Sequence, residues 1–259
     1  MRHVAERISA KSAPVGDLVV LRALPTAKRR SVGPFVFLDH FGPFTVKPGP
    51  GIPAHPHAGI EVITYLFEGE QVHRDSLGNE SRVGAGGAQW ITAGRGIIHA
   101  EKPEPGVVLH GVQMWTSLPR ARKLVEPRYR AVQAEEIPVV ALGGARLRLV
   151  AGTLEGSTGP VVLAQPALLT HVIAEANVEL KVDAAFELAI YRFNGALEVL
   201  SAGESVMLDA GEYLVFGGEP AEGPLLFGGP FVMDSEERLA QAQLNYLRGR
   251  MGTLDGVPY

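Results

Sequence analysis

Turn-forming residues divide this sequence into short apolar runs along its whole length. The chain has 259 residues, of which 31 are glycine and 19 are proline. The runs between these residues are rich in Val, Ile, Leu, Tyr and Phe. Short β-branched and aromatic runs bounded by turn residues are typical of strands. The sequence therefore predicts an all-β protein built from many antiparallel strands.

Helix patterns are rare by comparison. One is clear, in MDSEERLAQAQLNYLRGR, where Asp234 or Ser235 is the candidate N-cap. Glu237 follows Asp234 by three residues, as in a capping box. The clearest strand candidates are DLVVLRAL, EVITYLFEGE, QWITAG, VVLHGVQMW, LRLVAGTL, VELKV, FELAIYRFNG, SVMLDAGEYLVFGG and PLLFGGPF.

The two halves of the chain resemble each other weakly. EVITYLFEGE at 61–70 is similar to LAIYRFNGALEV at 188–199, and a second glycine turn and strand follow each, at 83–94 and 208–218. Two copies of one β-unit predict two similar barrels. The charged, proline-bearing segment 119–145 is the predicted connector between them.

Composition excludes several classes of function. The net charge is −4 and the isoelectric point is about 6.1, so no basic footprint for nucleic acid or anionic lipid is present. No cysteine occurs, which excludes disulfides and thiol chemistry. The N-terminus lacks the apolar region of a signal peptide, and no apolar run is long enough to span a membrane. We therefore expect a cytoplasmic protein.

Four metal-capable side chains occur as two pairs with the same spacing. AHPHAGIE contains His55 and His57, and GRGIIHAE contains His99 and Glu101. Residues i and i+2 of a strand point to the same face, so two neighbouring strands can direct all four side chains at one point. Three imidazoles and a carboxylate suit divalent Fe, Mn, Co, Ni, Cu or Zn and can leave coordination positions open.

Other polar residues have competing interpretations. A single H-x-H pair is often an accident, but two i, i+2 pairs of metal-capable residues flanked by glycine turns favour a metal centre. Glu61 shares the parity of His57, and is either a hydrogen-bond acceptor for a ligand imidazole or a buried structural carboxylate. Among the other histidines, His73 is expected to be a turn histidine, with a hydrogen bonder at the pocket rim as the alternative, since turn-like residues follow it. His40 is expected to be structural, and His110 and His171 receive no role.

Aromatic residues near these pairs also allow two interpretations. Gln113, Met114 and Trp115 are predicted on a strand of the first barrel, where they line either a pocket or the core. The phenylalanines of PFVFLDHF either form an apolar wall that suits a flat aromatic substrate or fill space between the barrels.

Four segments together resemble the pirin branch of the cupin superfamily, and they span nearly the whole chain. They are FVFLDHFGPF (35–44), HPHAGIEVITYLFEGEQVHRDSLGN (55–79), GAGGAQWITAGRGIIHAE (84–101) and FGGPFVMDSEERLAQAQLNYLRGRMG (227–252). The resemblance implies a bicupin: two stacked antiparallel β-barrels of jelly-roll type with a C-terminal helix. Residues 1–130 would form the metal-binding barrel, and residues 131–259 a barrel without metal ligands plus the helix.

The resemblance also implies the ligands and the chemistry. His55, His57, His99 and Glu101 would bind one divalent metal, with Fe(II) expected and Ni, Mn, Co, Cu or Zn as alternatives. The implied activity is that of a quercetin 2,3-dioxygenase, which cleaves a flavonol with O2, and Glu101 would also serve as the base. The alternative is a non-enzymatic metal- or redox-sensing regulator that binds partner proteins. A sugar-binding or isomerase cupin is a weaker third hypothesis.

Overall fold

The computed structural model describes residues 1–16 and 18–254. Over these residues the chain is mostly β-structure with one α-helix, α1 (Glu236–Leu247), and two short 3-10 helices at Arg120–Arg122 and Ala134–Glu136. The all-β prediction is therefore confirmed. The strands in chain order are β1 (Val4–Ser9), β2 (Lys11–Val15), β3 (Leu18–Leu24), β4 (Phe35–Thr45), β5 (Ile52–His57), β6 (Ile60–Glu68), β7 (Glu70–Asp75), β8 (Glu80–Gly84), β9 (Ala88–Thr92), β10 (Ile97–Pro103), β11 (Val108–Ser117), β12 (Arg128–Val132), β13 (Val139–Leu142), β14 (Ala145–Ala151), β15 (Thr153–Leu154), β16 (Ser157–Thr158), β17 (Ala167–Ala174), β18 (Val178–Lys181), β19 (Glu187–Arg192), β20 (Ala196–Leu200), β21 (Ser205–Leu208), β22 (Gly211–Gly218), β23 (Leu226–Gly228) and β24 (Phe231–Met233).

Each half of the described chain combines a large sheet with a smaller one. The first large sheet has the order β12-β9-β6-β11-β4-β3-β2, and its smaller partner has the order β5-β10-β7-β8. The second large sheet has the order β1-β20-β19-β22-β17-β14-β13, and β18 pairs with β21 beside it. Each half buries its own apolar cluster. We call these halves the first and the second barrel.

A further apolar core lies between the two barrels. The first barrel contributes Phe35 and Tyr65 to this core, and the second contributes Tyr191 and Phe216. The rings of Phe35 and Phe216 meet edge to face with centroids 5.2 Å apart. For Phe35, the structure supports the interpretation that it fills space between the barrels.

The terminal segments cross between the barrels. Strand β1 pairs with β20 and so extends the sheet of the second barrel. Helix α1 packs through Ala242 on an apolar cluster that contains Ala58 of the first barrel, and Ser76 Oγ donates to the carbonyl of Met251 at 2.8 Å. From its position in the sequence, β1 would be assigned to the first barrel and α1 to the second, which is the opposite of what the structure shows. The boundary at 130/131 stays a prediction.

One local prediction needs correction, and the structure decides between the two N-cap candidates, Asp234 and Ser235, in favour of Ser235. Segment 119–145 is not a plain connector, because it contains β12, which extends the first large sheet, and β13, which lies in the second. Helix α1 is capped by Ser235, whose side chain accepts from the Arg238 amide at 3.2 Å. Within the described residues, no helix has the length and apolar character needed to cross a membrane.

Candidate metal centre

Strands β5 and β10 are antiparallel neighbours in the small sheet of the first barrel, and their register brings three histidines together. His99 lies opposite His55, and the register then shifts so that Glu101 lies opposite Ile52. Alternation along β5 places His57 on the same face as His55. The structure thus groups three of the four residues that the sequence selects on its two predicted strands.

The three imidazoles converge on a single point. One ring nitrogen from each of His55, His57 and His99 lies within 4.8 Å of the other two. The ring centroids are 4.3 Å apart for His55 and His99, 4.9 Å for His55 and His57, and 5.0 Å for His57 and His99. Three nitrogens at such separations can share one transition-metal ion.

Backbone carbonyls determine which nitrogen of two rings carries the proton. His55 Nδ1 lies 2.9 Å from the carbonyl oxygen of Pro53, and His57 Nδ1 lies 3.3 Å from that of Pro230. A carbonyl only accepts hydrogen bonds, so Nδ1 is the donor in both rings. In the neutral ring, Nε2 then keeps the lone pair that a metal needs.

The inner ring nitrogens have no hydrogen-bond partner among the described residues. This is true of Nε2 of His57 and of both nitrogens of His99, all of which are buried. Burial lowers the pKa of His57 and of His99 well below the usual value, so both rings are neutral at pH 7. A buried, unpaired nitrogen costs free energy, and a metal ion would satisfy it. The donor set therefore fits a divalent transition metal.

Glu101 lies in β10, two residues after His99, and is buried. Its carboxylate is held by three donors: Gln71 Nε2 at 2.8 Å and Thr64 Oγ1 at 3.3 Å to Oε1, and Gln113 Nε2 at 3.2 Å to Oε2. Among the described residues, the group of converging ligand atoms consists of the three histidines. The role of Glu101 as fourth ligand and base stays a prediction.

A cavity of about 530 Å³ opens over His55 and His57. One wall is aromatic: the rings of Phe37 and Trp115 stack with centroids 3.9 Å apart and planes 11° apart, and Trp115 also meets His57 at 5.0 Å. For Phe37, the structure supports the pocket-wall interpretation. Gln113 and Trp115 line this cavity, whereas Met114 points into the core between the barrels.

A charged pair forms another part of the wall. Arg22 donates to both carboxylate oxygens of Asp39, at 2.8 and 2.7 Å, and its guanidinium lies 4.7 Å from the centre of the Phe37 ring. Asp39 and Gln113 also line a smaller cavity of about 50 Å³ that reaches Glu101. Glu101 thus lies behind the Gln113 side chain as seen from the larger cavity.

His73 has a different environment from the one expected. It is fully buried in β7, its Nε2 donates to Asp75 at 3.0 Å, and its ring stacks on Tyr129 with centroids 3.8 Å apart. The ring centroid lies 5.4 Å from that of His99. Burial tends to raise the pKa of Asp75, but the hydrogen bonds from His73 and Asn79 bring it below the usual value. The expectation of a turn histidine was wrong. His73 and Asp75 have the same i, i+2 spacing as the pairs His55/His57 and His99/Glu101, and both are buried in a strand.

Glu61 contacts the second half of the chain instead of a ligand imidazole. Its carboxylate accepts from the amide of Ala164 at 2.9 Å and from Thr116 Oγ1 at 3.1 Å. Burial raises the pKa of Glu61. Of the two interpretations, the structure supports the buried structural carboxylate.

A second group of histidines lies between the barrels, where sequence analysis assigned no site. His40 Nε2 lies 2.8 Å from His110 Nε2, and His40 Nδ1 lies 3.1 Å from the hydroxyl of Tyr191. His171 bonds to the hydroxyl of Tyr65 at 3.2 Å and to Glu212 at 3.0 Å. These pairs join side chains far apart in sequence, so the local pattern contains no signal for them.

Family comparisons agree with this geometry. The family model "Pirin" matches residues 17–116, and the model "Pirin C-terminal cupin domain" matches residues 168–252. The chain belongs to the pirin family. The predicted resemblance to pirins is therefore confirmed.

Individual relatives and solved structures extend over nearly the whole chain. A pirin-like protein of Caulobacter vibrioides is 34% identical over 93% of this chain and 92% of its own length. Human pirin is 30% identical over 90% of this chain and 88% of its own. A crystal structure of quercetin 2,3-dioxygenase from Acinetobacter baumannii is 27% identical, with a TM-score of 0.90 over 97% of this chain and 91% of that one. The fold is that of a bicupin, as predicted.

Proposed function

We propose that this pirin-family chain is a metal-dependent dioxygenase that cleaves flavonol-type aromatic substrates with O2. The observation that supports it best is the convergence of three imidazoles, with buried and unpartnered nitrogens, beneath a cavity with an aromatic wall. The likeness to an Acinetobacter baumannii protein described as quercetin 2,3-dioxygenase supports the same substrate class.

His55, His57 and His99 would hold the metal through ring nitrogens. Glu101, on the same strand as His99, would complete the set. Fe(II) is the metal we propose, because a nitrogen and oxygen ligand set with open positions suits its oxygen chemistry. When bound, the metal would supply Lewis acidity and an open coordination position beside the cavity.

The stacked pair Phe37 and Trp115 would bind the substrate. A flat ring system gains apolar and stacking contacts against such a wall. A cavity of about 530 Å³ is also within the range that drug-sized ligands occupy. The Arg22 guanidinium, fixed by Asp39, would face polar groups at the substrate edge.

Glu101 would accept the proton of the substrate hydroxyl. The amides of Gln71 and Gln113 fix the carboxylate, and Gln113 stands between it and the larger cavity. The Oε1 atom of Gln113 accepts a hydrogen bond from the Trp115 indole N–H at 3.2 Å. Gln113 therefore connects the aromatic wall of the cavity to Glu101. The overall reaction would convert flavonol and O2 into a depside and carbon monoxide.

The test combines metal content with turnover on one sample. Protein purified without added metal would be analysed for elements, reloaded with Fe(II), and assayed with quercetin under air for carbon monoxide release. We expect one metal per chain and release that depends on it. The matched control is His110→Ala, which removes a partly buried histidine outside this site and should retain both properties.

Two results would contradict the proposal in different ways. Protein that binds no metal would exclude the metal centre itself. Fully loaded protein that releases no carbon monoxide from any flavonol would exclude the dioxygenase and favour the non-enzymatic metal-sensing regulator.

A further inference from the structure

Lys123 is fully buried, which is unusual for a lysine. Its ammonium donates to three oxygens, each 2.8 Å away: the carbonyls of Gly59 and Val232 and the hydroxyl of Ser117. Burial lowers the pKa of Lys123 to about 8, so the side chain remains mostly charged at neutral pH. All three of its protons therefore have an acceptor.

Each acceptor belongs to a segment that builds the metal centre. Gly59 follows His57 by two residues, and Ser117 ends the strand that carries Trp115. Val232 lies in β24, two residues after Pro230, whose carbonyl accepts from His57 Nδ1. A single buried cation thus connects the segment of a ligand, the segment that orients that ligand, and the wall beside it.

The backbone of the segment that follows His57 lies in close contact with strand β24. The amide of Val232 donates to the carbonyl of Ala58 at 3.2 Å. Gly59 has a φ of +75°, and a Cβ at this position would lie 2.1 Å from the Val232 carbonyl oxygen. Only glycine permits this approach. The Gly59 and Val232 carbonyls therefore both lie within reach of the Lys123 ammonium, which donates to each.

We propose that Lys123 is a positioning residue of the metal centre: it fixes the C-terminal segment whose Pro230 carbonyl sets the orientation and tautomer of His57. The inference rests on the proposed metal site. Without the ammonium, two buried carbonyls lose a donor and the Pro230 carbonyl is free to shift. Groups that orient a ligand imidazole typically contribute about 10- to 100-fold to metal affinity.

The experiment compares Lys123→Met with a matched control. Arg148→Met also removes a cation that donates to two backbone carbonyls, those of Gly86 and Ala134, but Arg148 lies in the second barrel. Ni(II) affinity would be measured by chelator competition, with thermal unfolding of the metal-free proteins alongside. We expect Lys123→Met to weaken Ni(II) binding about 10- to 100-fold and Arg148→Met to retain wild-type affinity.

A spectroscopic measurement separates orientation from general loosening. In metal-free wild-type protein labelled with ¹⁵N-histidine, His57 should show one tautomer with the proton on Nδ1. In Lys123→Met we expect a mixture of tautomers and faster exchange of that proton. The Arg148→Met spectrum should match the wild type.

Several outcomes would overturn the inference. Wild-type Ni(II) affinity in Lys123→Met would exclude it while leaving the metal centre intact, whereas a wild-type protein without Ni(II) affinity would exclude both. Equal losses in Lys123→Met and Arg148→Met would make the role merely structural. If Lys123→Met is insoluble, Ser117→Ala decides: removal of one acceptor should weaken Ni(II) binding about two- to tenfold, and unchanged affinity would contradict the proposal.

Discussion

The two barrels offer cavities of similar size but very different chemistry. The cavity of the second barrel, about 610 Å³, is lined by Lys181, Asp183 and Gln165 among others. The cavity of the first barrel, about 530 Å³, has His55 and His57 in its wall. Over the part of the chain that the structure describes, only the first barrel groups three ring nitrogens. The two barrels therefore differ less in the size of their cavities than in the side chains that could hold a metal ion.

The smaller sheets account for much of this difference. In the first barrel that sheet has four strands, and β5, β7 and β10 carry the histidines, Asp75 and Glu101. The corresponding sheet of the second barrel consists of β18 and β21 alone, counted over the described residues. The two additional strands give the first barrel more inward positions for polar side chains.

Removing one ligand should abolish the chemical difference between the barrels. We expect His57→Ala to lower the metal content from one per chain to nearly none, a loss of affinity greater than about 100-fold, since even residues that only orient ligands contribute 10- to 100-fold. The fold should persist because apolar strand faces hold the barrels together. Elemental analysis and circular dichroism measure both quantities.

The matched control for that substitution is His171→Ala, which alters a buried histidine at the second barrel. It should leave metal content unchanged. Global unfolding of His57→Ala would show that the metal is structural, and full metal retention would place the ion elsewhere in the molecule.

Sequence alone was sufficient for the part of the site that depends on local alternation. The i, i+2 spacing selected His55, His57 and His99, because a strand places such residues on one face whatever the rest of the fold does. The contact between His57 and the Pro230 carbonyl could not be predicted from local spacing, since the two residues are 173 positions apart in the sequence. Likewise Lys123 and Val232 are 109 residues apart.

Two predictions, for His73 and for segment 119–145, were wrong because two local sequence signals pointed to different structures. The turn residues that follow His73 suggested a turn, but β7 extends to Asp75 and buries the histidine before the turn begins. In segment 119–145, charge and proline masked the edge strands β12 and β13, since edge strands tolerate such residues. The pattern of strands was thus predictable, whereas which ones form the sheet edges was not.

Substitution of Glu101 tests whether the first barrel differs from the second in catalysis as well as in metal binding. We expect Glu101→Gln to lower flavonol turnover about 10²- to 10⁴-fold, because an amide cannot accept the substrate proton. Most of the metal should remain, held by three imidazoles. Metal content and carbon monoxide release, measured on the same sample, separate these effects.

The matched control is Glu198→Gln, which alters a buried carboxylate of the second barrel that pairs with Arg7 and Arg192. Its turnover should equal that of the wild type. A Glu101→Gln variant that keeps its metal and the wild-type rate would exclude Glu101 as the base.

The smallest expected effect concerns the histidines between the barrels. Burial, with a further contribution from His110, lowers the pKa of His40 to about 4, against about 6.5 in the unfolded chain. Between these two pH values the unfolded chain therefore binds more protons than the folded chain does. The contribution of neutral His40 to the free energy of unfolding is fully present above about pH 6.5 and falls as the pH drops towards 4. At pH 5 the loss from His40 alone is about 2 kcal/mol, since one pKa unit corresponds to about 1.4 kcal/mol.

Urea unfolding of metal-free protein at pH 7 and pH 5 isolates this contribution. The buried histidines His57, His99 and His171, whose pKa values burial also lowers, should destabilise the metal-free fold in acid as well. We expect that effect to be equal in wild type and in His40→Gln. The stability difference between the two pH values should therefore be about 2 kcal/mol smaller in His40→Gln. His3→Gln, at an exposed position, should behave as the wild type does. An unchanged difference in His40→Gln would mean that His40 keeps an ordinary pKa and that acid acts on the two barrels individually, and not on the contact between them.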